Sequence, residues 1–247
     1  MRYLIAIPVY NEEAYLPGVL RAVRRQAGDI LVIDDGSTDR TAQLLAEEQD
    51  VFRLTQLENR GYGQSLINAF RFAASRGYDW VVTMDCDEQH EPRAIPAFLE
   101  AMKADDADVI SGSRYLIDHP KDDPPPPERR DVNRRITAVL CETLGLRLTD
   151  SFCGFKAQRV SAMNRLRLTE PGYAFPLQFW AQCVQAGLRI REIPVRRIYR
   201  DRSRQFGGTL DDPDARLRHY IEVLHAELDE TALSACTCDF CSGLSEL

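Results

Sequence analysis

Trp80-Val81-Val82-Thr83-Met84-Asp85-Cys86-Asp87 is the part of this sequence that says most about its fold. Its first three residues are apolar and indicate a buried β-strand. The two aspartates follow that strand, and in an open α/β sheet the residues after the strands line a crevice. Paired carboxylates suit a hard divalent cation that keeps part of its coordination for water and substrate phosphates. A solvated turn at the end of a strand is the alternative, and these residues alone do not decide between the two.

The first 115 residues alternate between strand-like and helix-like patterns. Apolar runs predict strands at Tyr3–Val9, 30–33, 51–57, 80–84 and 109–111. The periodicity between these runs predicts helices at 12–26, 38–49, 64–75 and 92–103. This alternation predicts an α/β fold with a mostly parallel, doubly wound sheet.

The pattern changes after residue 115. Residues 118–128 are polar and include the four consecutive prolines at 124–127, which indicates a stiff, extended segment. Beyond it, helices are predicted at 130–144, 175–186 and 211–230, and a strand at 190–199. We therefore expect one domain over residues 1–207, with halves 1–115 and 116–207, followed by an acidic helical extension and a cysteine-containing tail over 208–247.

Composition excludes several classes of protein. The 247 residues carry a net charge of −7, which argues against nucleic acid as a partner. No apolar run reaches the ~18–20 residues of a membrane-spanning helix, and the N-terminal residues lack a signal-peptide pattern. The seven cysteines are odd in number and mostly scattered, as in a reduced protein. We expect a cytoplasmic location.

Polar clusters follow four of the predicted strands. They lie at residues 8–13, 34–37, 85–87 and 112–115. Each alone is compatible with a helix cap, a turn or a solvated loop. Because the carboxyl ends of parallel strands meet at one edge of a sheet, four clusters together favour a ligand site there. Two arginine clusters, at 129–135 and 189–204, suggest that the ligands are anionic.

These clusters, in this order, resemble the family 2 glycosyltransferases of the GT-A fold. Within that family the sequence is most similar to the dolichyl- and polyprenyl-phosphate mannosyl- or glucosyltransferases. The matching stretches are 7–13, 32–38, 59–64, 84–92, 111–115, 150–156 and 192–204. The resemblance covers residues 1–206 and implies a Rossmann-like, mostly parallel central sheet flanked by helices, with an acceptor-side helical segment and a C-terminal helical tail.

The resemblance assigns residues to the nucleotide-sugar donor. Asp85, Asp87 and Gln89 would hold Mg²⁺ or Mn²⁺, and an amide oxygen is an acceptable ligand for these hard cations. His90 would orient a neighbour of the metal or cap the helix that begins near Pro92. The residues implied to hold the nucleoside, with Asp35 accepting a hydrogen bond from the base, are Pro8, Tyr10, Glu12 and Asp35. The basic residues implied to close over the diphosphate are Arg200 and Arg204.

The resemblance also implies that the acceptor is a lipid phosphate held by Arg114, Arg129 and Asn133. A phosphate monoester has a second pKa near ~6 and is largely dianionic at neutral pH. It needs no general base, only positive groups that hold it in line with the sugar carbon. The alternative is that residues 129–135 form the solvated face of a helix. The segment 150–156 is expected to be mainly architectural.

The leading hypothesis is an inverting, metal-dependent hexosyltransferase that uses GDP-mannose or UDP-glucose and a polyprenyl phosphate. The predicted catalytic residues are Asp87, Arg114, Arg129 and Asn133. A non-lipid acceptor is one alternative, although no carboxylate base for a hydroxyl acceptor is evident. A non-catalytic nucleotide-sugar-binding protein is another, and the intact Asp85, Asp87 and Gln89 set argues against it. A dehydrogenase is disfavoured because no Gly-x-Gly-x-x-Gly follows a strand.

The apolar side of one predicted helix and the cysteines of the tail each allow two interpretations. The apolar side of the helix predicted at 130–144 would rest on a membrane, as in a peripheral protein, or pack in the core. Cys236, Cys238 and Cys241 supply three of the four ligands of a structural zinc site, so a reduced, flexible tail is favoured over metal binding. Neither the sugar nor the oligomeric state follows from the sequence.

Overall fold

A sheet of seven strands lies at the centre of the protein. The structure is a computed structural model, and it describes residues 1–26, 28–199 and 206–230, apart from the Glu230 side chain. The strands are β1 (Tyr3–Val9), β2 (Asp29–Asp34), β3 (Phe52–Thr55), β4 (Trp80–Thr83), β5 (Val109–Ser113), β6 (Lys156–Arg159) and β7 (Ile190–Pro194). Their order across the sheet is β3-β2-β1-β4-β6-β5-β7. Every pairing is parallel except those of β6, which runs antiparallel to β4 and β5. The predicted α/β class with a mostly parallel sheet is confirmed.

Helices cover both faces of this sheet. They are α1 (Leu16–Val23), α2 (Thr41–Glu47), α3 (Tyr62–Ser75), α4 (Ile95–Lys103), α5 (Pro127–Leu144), α6 (Val160–Met163), α7 (Phe175–Gln185) and α8 (Pro213–Glu230), with short 3₁₀ turns at Pro92–Ala94 and Gly208–Asp211. Helices α1, α4, α5 and α7 each carry a proline in the first turn, where its missing N–H costs nothing. Helix α5 therefore begins at Pro127, three residues earlier than predicted.

Strand β6 was not predicted, and it brings the acceptor-side segment into the sheet. Its residue Lys156 pairs with Thr83 of β4 and with Ser111 of β5. The residues that precede β6, 150–155, consequently pass beside the carboxyl ends of both neighbouring strands. Thr83 Oγ1 donates a hydrogen bond to the carbonyl oxygen of Gly154 (2.8 Å), and the N–H of Gly112 donates one to the carbonyl oxygen of Phe155 (2.8 Å). These bonds fix the turn 150–155 at the edge where the site lies.

The apolar face of α5 packs in the core, so the interpretation that it rests on a membrane is wrong. Ile136 and Leu140 are fully buried, Val139 nearly so, and Leu144 is partly buried against them. Burying a Leu or Ile side chain stabilises a fold by about 1.5–3 kcal/mol. That free energy holds α5 against α7 and α8, and most of the apolar surface of this face is buried there.

Helix α8 belongs to the same apolar core as α3, α5 and α7. Its buried apolar residues are Leu217, Tyr220, Ile221, Leu224 and Leu228. The Glu227 carboxylate accepts hydrogen bonds from the side-chain amides of Gln178 and of Gln182, both on α7. The domain boundary at residue 207 stays a prediction, but the helix beyond it completes the core. Among the described residues, no helix is both long and apolar enough to cross a bilayer.

Candidate active site

A cavity of about 770 Å³ opens at the carboxyl ends of β1, β2, β4 and β5. Predicted site residues from all four strand ends line it, as expected for an open α/β sheet. The predicted residues that line this cavity are Pro8, Tyr10, Glu12, Asp35, Asp85, Asp87, Gln89, Arg114, Arg129 and Asn133. Arg200, Arg204 and the three tail cysteines lie outside the described residues.

The loops after β1 and β2 are tied together on the nucleoside side of the cavity. Asn11 Oδ1 accepts a hydrogen bond from the N–H of Thr38 (2.8 Å), and Asn11 adopts a left-handed backbone with φ of 55°. The N–H of Glu12 donates to Thr41 Oγ1 (2.8 Å). Asn tolerates this backbone region better than most residues because its short polar side chain bonds locally. The bonds hold residues 8–13 at the cavity wall.

The Asp35 carboxylate organises the next loop. It accepts hydrogen bonds from the backbone N–H groups of Arg60 and Gly61 (both 2.8 Å) and from Gln56 Nε2 (2.5 Å). Burial raises the pKa of Asp35, and these bonds oppose the rise. The side chain therefore shapes the wall of the cavity in addition to the base contact predicted for it.

His90 lies against the first aspartate of the predicted metal site. The N–H of Asp85 donates to His90 Nδ1 (2.9 Å), and His90 Nε2 lies 3.7 Å from Asp85 Oδ2. Burial lowers the pKa of His90 to about 4, so the ring is neutral at neutral pH and its proton resides on Nε2, facing that carboxylate. The hydrogen bonds of the His90 ring are with the N–H of Asp85 and with Cys153 Sγ, not with the turn at Pro92–Ala94. Of the two roles considered, the contact with a neighbouring aspartate is the one observed.

Tyr62 and Gly154 complete the surroundings of Asp85. Burial, with Asp85 beside it, raises the pKa of Tyr62 well above its ordinary value, so its hydroxyl stays protonated and donates to that carboxylate. A methyl group built on Gly154 would lie 2.6 and 2.7 Å from the two Asp85 carboxylate oxygens. Gly154 is therefore required for the close approach of this turn to the carboxylate.

The donor set around Asp85 consists of hard oxygen atoms. The described residues contain no group of three or more His, Cys, Asp or Glu side chains able to hold a metal ion. A cation here would thus rely on Asp85, Asp87 and the Gln89 amide, with phosphate and water oxygens completing its shell. Such a mixed oxygen shell fits Mg²⁺ or Mn²⁺.

We expect Gly154→Ala to weaken binding of Mn²⁺ by about 10- to 100-fold, the usual effect of disturbing a residue that supports a metal ligand. The added carbon would displace the Asp85 carboxylate or the Tyr62 hydroxyl, which lies 2.7 Å from it. Calorimetric titration with Mn²⁺ in the presence of a nucleoside diphosphate measures the change. Gly28→Ala is the matched control because, apart from its chain neighbours, no atom of the described residues lies within 4 Å of its added carbon. Equal affinities in the two variants would contradict this account of Gly154.

Asp150 arranges the groups on the opposite wall. Its carboxylate accepts from Arg114 Nε (2.6 Å), Arg114 Nη2 (2.9 Å) and Asn133 Nδ2 (2.8 Å). Burial alone would raise the pKa of Asp150, but Arg114 and Asn133 outweigh it and hold the pKa at about 2. Thr137 Oγ1 donates to Asn133 Oδ1 (3.0 Å). The segment expected to be architectural therefore orients two of the predicted acceptor-binding side chains.

The residues around Asp150 are themselves held in place. Glu192 on β7 accepts hydrogen bonds from the N–H groups of Thr149 (2.9 Å) and Asp150 (3.1 Å). Trp180 Nε1 on α7 donates to the carbonyl of Ser151 (2.9 Å). Because a strand and a helix both bond to it, this turn offers a rigid support for Arg114.

The arginine cluster on α5 divides between cavity and surface. Arg129 lines the cavity, and its Cζ lies 5.2 Å from the centre of the Phe206 ring. Arg134 and Arg135 instead pair with Asp131 on the exposed side of the helix. The alternative of a solvated helix face therefore holds for Arg134 and Arg135, whereas phosphate binding by Arg129 stays a prediction.

Several cavity residues were missed from the sequence. They are aromatic or lie beyond residue 206, and no spacing or motif marks them: Tyr62, Phe152, Tyr173, Phe206, Arg216 and Tyr220. Tyr62 and Tyr173 stack with ring centres 6.1 Å apart, and Tyr173 meets Phe206 edge-on at 5.3 Å. These rings form a continuous aromatic wall between the aspartates and the arginines.

This sheet order, with paired carboxylates after β4 and arginines in the same cavity, is the arrangement expected of the GT-A fold. The chain belongs to glycosyl transferase family 2, whose model matches residues 4–167. Both the predicted family and the predicted enzyme class are confirmed.

Relatives and solved structures agree with this assignment. The chain is 33% identical over 223 residues to the undecaprenyl-phosphate mannosyltransferase of Micrococcus luteus, covering 86% of this chain and 90% of that protein. It is 30% identical over 212 residues to the polyprenol monophosphomannose synthase of Mycolicibacterium smegmatis, covering 78% and 76%. It superposes with a TM-score of 0.69 on glucosyl-3-phosphoglycerate synthase from Mycobacterium tuberculosis in complex with Mn²⁺, UDP and glucosyl-3-phosphoglycerate, at 21% identity, covering 92% and 79%. The last comparison concerns the fold alone.

Proposed function

We propose that this protein transfers a hexose from a nucleotide sugar, GDP-mannose or UDP-glucose, to the phosphate of a polyprenyl phosphate. The observation that carries the proposal is that one cavity is lined both by the carboxylates of Asp85 and Asp87, here called the acidic wall, and by the guanidinium groups of Arg114 and Arg129, here called the basic wall. The names of two relatives, an undecaprenyl-phosphate mannosyltransferase and a polyprenol monophosphomannose synthase, support a lipid phosphate as acceptor.

The acidic wall would bind the donor. Asp85, Asp87 and Gln89 would hold Mg²⁺ or Mn²⁺, which when bound offsets the negative charge that develops on the departing nucleoside diphosphate. Tyr62 donates a hydrogen bond to the Asp85 carboxylate, and His90 accepts one from the Asp85 backbone N–H. The proposed nucleoside contacts are Pro8, Tyr10, Glu12 and Asp35, and the proposed diphosphate contacts are Arg200 and Arg204.

The basic wall would bind the nucleophile. A phosphate monoester is largely dianionic at neutral pH, so its oxygen attacks the sugar carbon without giving up a proton. The bond from that carbon to the diphosphate breaks as the new bond forms, and the diphosphate leaves with the electron pair. Arg114, Arg129 and Asn133 would hold the attacking phosphate opposite the leaving group. One displacement of this kind inverts the configuration of the sugar carbon.

To reach a lipid acceptor, the protein would have to act at a membrane surface. We propose a cytoplasmic protein that acts peripherally at the inner face of the membrane. Leu116 and Ile117 directly follow Arg114 and Tyr115 and expose their apolar side chains. We propose that a lipid tail leaving the Arg114 side of the cavity would pass over them.

The decisive assay is transfer of label from nucleotide sugar to lipid. The protein is incubated with Mn²⁺, labelled GDP-mannose or UDP-glucose, and a short polyprenyl phosphate. We expect label in the lipid phase, loss of transfer with excess chelator, and a product whose anomeric configuration is inverted. The matching polyprenol, which lacks the phosphate, is the control and should receive no label.

Other outcomes would replace this proposal. Turnover of the nucleotide sugar that ignores the lipid, with label in a glycan or small molecule, would establish a non-lipid acceptor. Tight binding of the nucleotide sugar without turnover, with every acceptor tried, would establish a binding protein instead of an enzyme of lipid glycosylation.

A further inference from the structure

Helix α8 brings a buried arginine, Arg216, to the cavity. The residue is 3% exposed and lies in the first turn of the helix. Its Nη1 donates to the carbonyl of Leu210 (2.8 Å), and its Cζ lies 4.2 Å from the centre of the Phe206 ring. Its buried Nη2 has no hydrogen-bond partner among the residues that the structure describes. One end of this guanidinium is thus fixed, while the other remains available to a ligand.

Few of the described residues neutralise this cation. Arg216 Nη1 donates to a backbone carbonyl and Nη2 has no described partner, while Glu128 and Asp211 favour the charged form only from a distance. Burial lowers the pKa of Arg216, and the neighbouring charge of Arg129 lowers it further. A cation is also disfavoured in the first turn of a helix, where the dipole is positive. An uncompensated buried cation is costly, and an anionic ligand would remove that cost.

Arg216 lies on the acceptor side of the cavity. The guanidinium groups of Arg216 and Arg129 both lie over Phe206, at 4.2 and 5.2 Å from the ring centre. Arg129 precedes Asn133 by about one helical turn on α5, and Asp150 holds Asn133 beside Arg114. Arg216 therefore extends the basic wall beyond the three residues predicted from the sequence.

The surface next to Arg216 is apolar. Phe152 and Tyr220 pack with ring centres 5.0 Å apart, and Tyr173 meets Phe206 at 5.3 Å. Val132 of α5 also lines this part of the cavity. A phosphate attached to a hydrocarbon chain matches this combination of guanidinium groups and aromatic rings better than a fully polar acceptor does.

We propose that Arg216 binds the acceptor phosphate together with Arg129, and that the adjoining aromatic wall receives the first isoprene unit of the acceptor. The inference rests on the proposed function. It adds to the site a residue of α8, which lies beyond the residues 4–167 that the family model matches. A basic binding residue would thus come from the helix that closes the core.

The test compares Arg216→Met with Arg218→Met, a matched control on the exposed side of the same helix. We expect Arg216→Met to raise the KM for a short polyprenyl phosphate by about 10- to 100-fold, the loss of one charge-assisted hydrogen bond. The KM for the nucleotide sugar should not change. Arg218→Met should match the wild type in both constants, and Arg216→Lys should recover part of the loss.

Two further measurements separate a binding role from a structural one. Inorganic phosphate, titrated by calorimetry without donor, should bind the wild type more tightly than Arg216→Met. The midpoint of chemical unfolding of Arg216→Met, without ligand, should equal or exceed that of the wild type, because an apolar side chain replaces an uncompensated buried cation. A purely structural arginine would lower that midpoint and leave phosphate binding intact.

The outcomes also distinguish this inference from the proposed function. If the wild type transfers no sugar to polyprenyl phosphate, the proposed function fails, and the phosphate titration alone decides the role of Arg216. If transfer occurs and Arg216→Met has an unchanged KM for the lipid, the inference is overturned while the proposed function stands. Equal affinity of the wild type and Arg216→Met for inorganic phosphate would also overturn it.

Discussion

Asp87→Ala should lower kcat for sugar transfer by about 10²–10³-fold or more, the effect of removing a group that stabilises charge in a transition state. Asp87 lies at the cavity wall, where its Oδ1 accepts a hydrogen bond from the N–H of Gln89 (3.1 Å). Its side chain is only partly buried and is not part of the apolar core, so the fold should tolerate the change. Initial rates at saturating nucleotide sugar, measured over a range of Mn²⁺ concentrations, give the effect.

Glu88→Gln is the control for Asp87→Ala. Glu88 lies in the same turn and carries the same charge, but it is exposed and does not line the cavity. Its backbone has a φ of 58°, and glutamine keeps the side-chain length. If Glu88→Gln transfers sugar at nearly the wild-type rate, the loss of kcat in Asp87→Ala results from where the Asp87 carboxylate lies in the site. Similar losses in both variants would point to net charge and contradict the ligand role.

Asp150→Asn should lower the free energy of unfolding by about 3–5 kcal/mol, because it leaves the buried Arg114 guanidinium without its counter-charge. Asp150 is fully buried, and Arg114 Nε donates to it at 2.6 Å. Asparagine keeps an oxygen that can accept the bond from Asn133. Sugar transfer should fall as well, since Arg114 loses the group that orients it. Chemical unfolding and initial rates measure the two effects.

The double variant Arg114→Met with Asp150→Asn separates stability from function. It removes both charges of the pair, so it should recover most of the lost free energy of unfolding while staying inactive. A double variant as unstable as Asp150→Asn alone would show that the uncompensated arginine is not the source of the loss.

The pair of Asp150 and Arg114 predicts that stability depends on pH in acid. In the folded protein the pKa of Asp150 is about 2, below the ordinary 3.8 of an aspartate. The stabilisation by the charged Asp150 is therefore complete above pH 3.8 and is lost as the pH falls towards 2. Between pH 5 and 2, the free energy of unfolding of the wild type should fall more steeply than that of the double variant. Parallel curves for the two proteins would contradict the assignment.

The first half of the fold was predictable because each of its central strands is an apolar run. Residues 4–7 of β1 and 31–33 of β2 are fully buried, as such runs require. Strand β6 was missed because its sequence, Lys-Ala-Gln-Arg, has neither an apolar run nor β-branched residues. It is a strand because β4 and β5 offer hydrogen bonds on both sides, and no local pattern carries that information.

The site divides in the same way. The placement of Asp35, Asp87 and Arg114 at the cavity was predictable because each lies in the loop just after a strand, so that the topology brings them together. The contacts of Asp150 with Arg114 and of Phe206 with Arg129 join residues 36 and 77 positions apart. They depend on how α5 and α8 pack, and the sequence contains no spacing that marks them.

The turn that precedes β6 serves both walls of the cavity. At one end Asp150 holds Arg114, and four residues later Gly154 contacts Asp85. The separation between the departing diphosphate and the attacking phosphate would therefore be set by five consecutive residues of one chain segment. A change of sugar or of acceptor can then arise at the rim of the cavity, whereas an insertion or deletion within this turn would alter the reaction distance for every substrate pair at once.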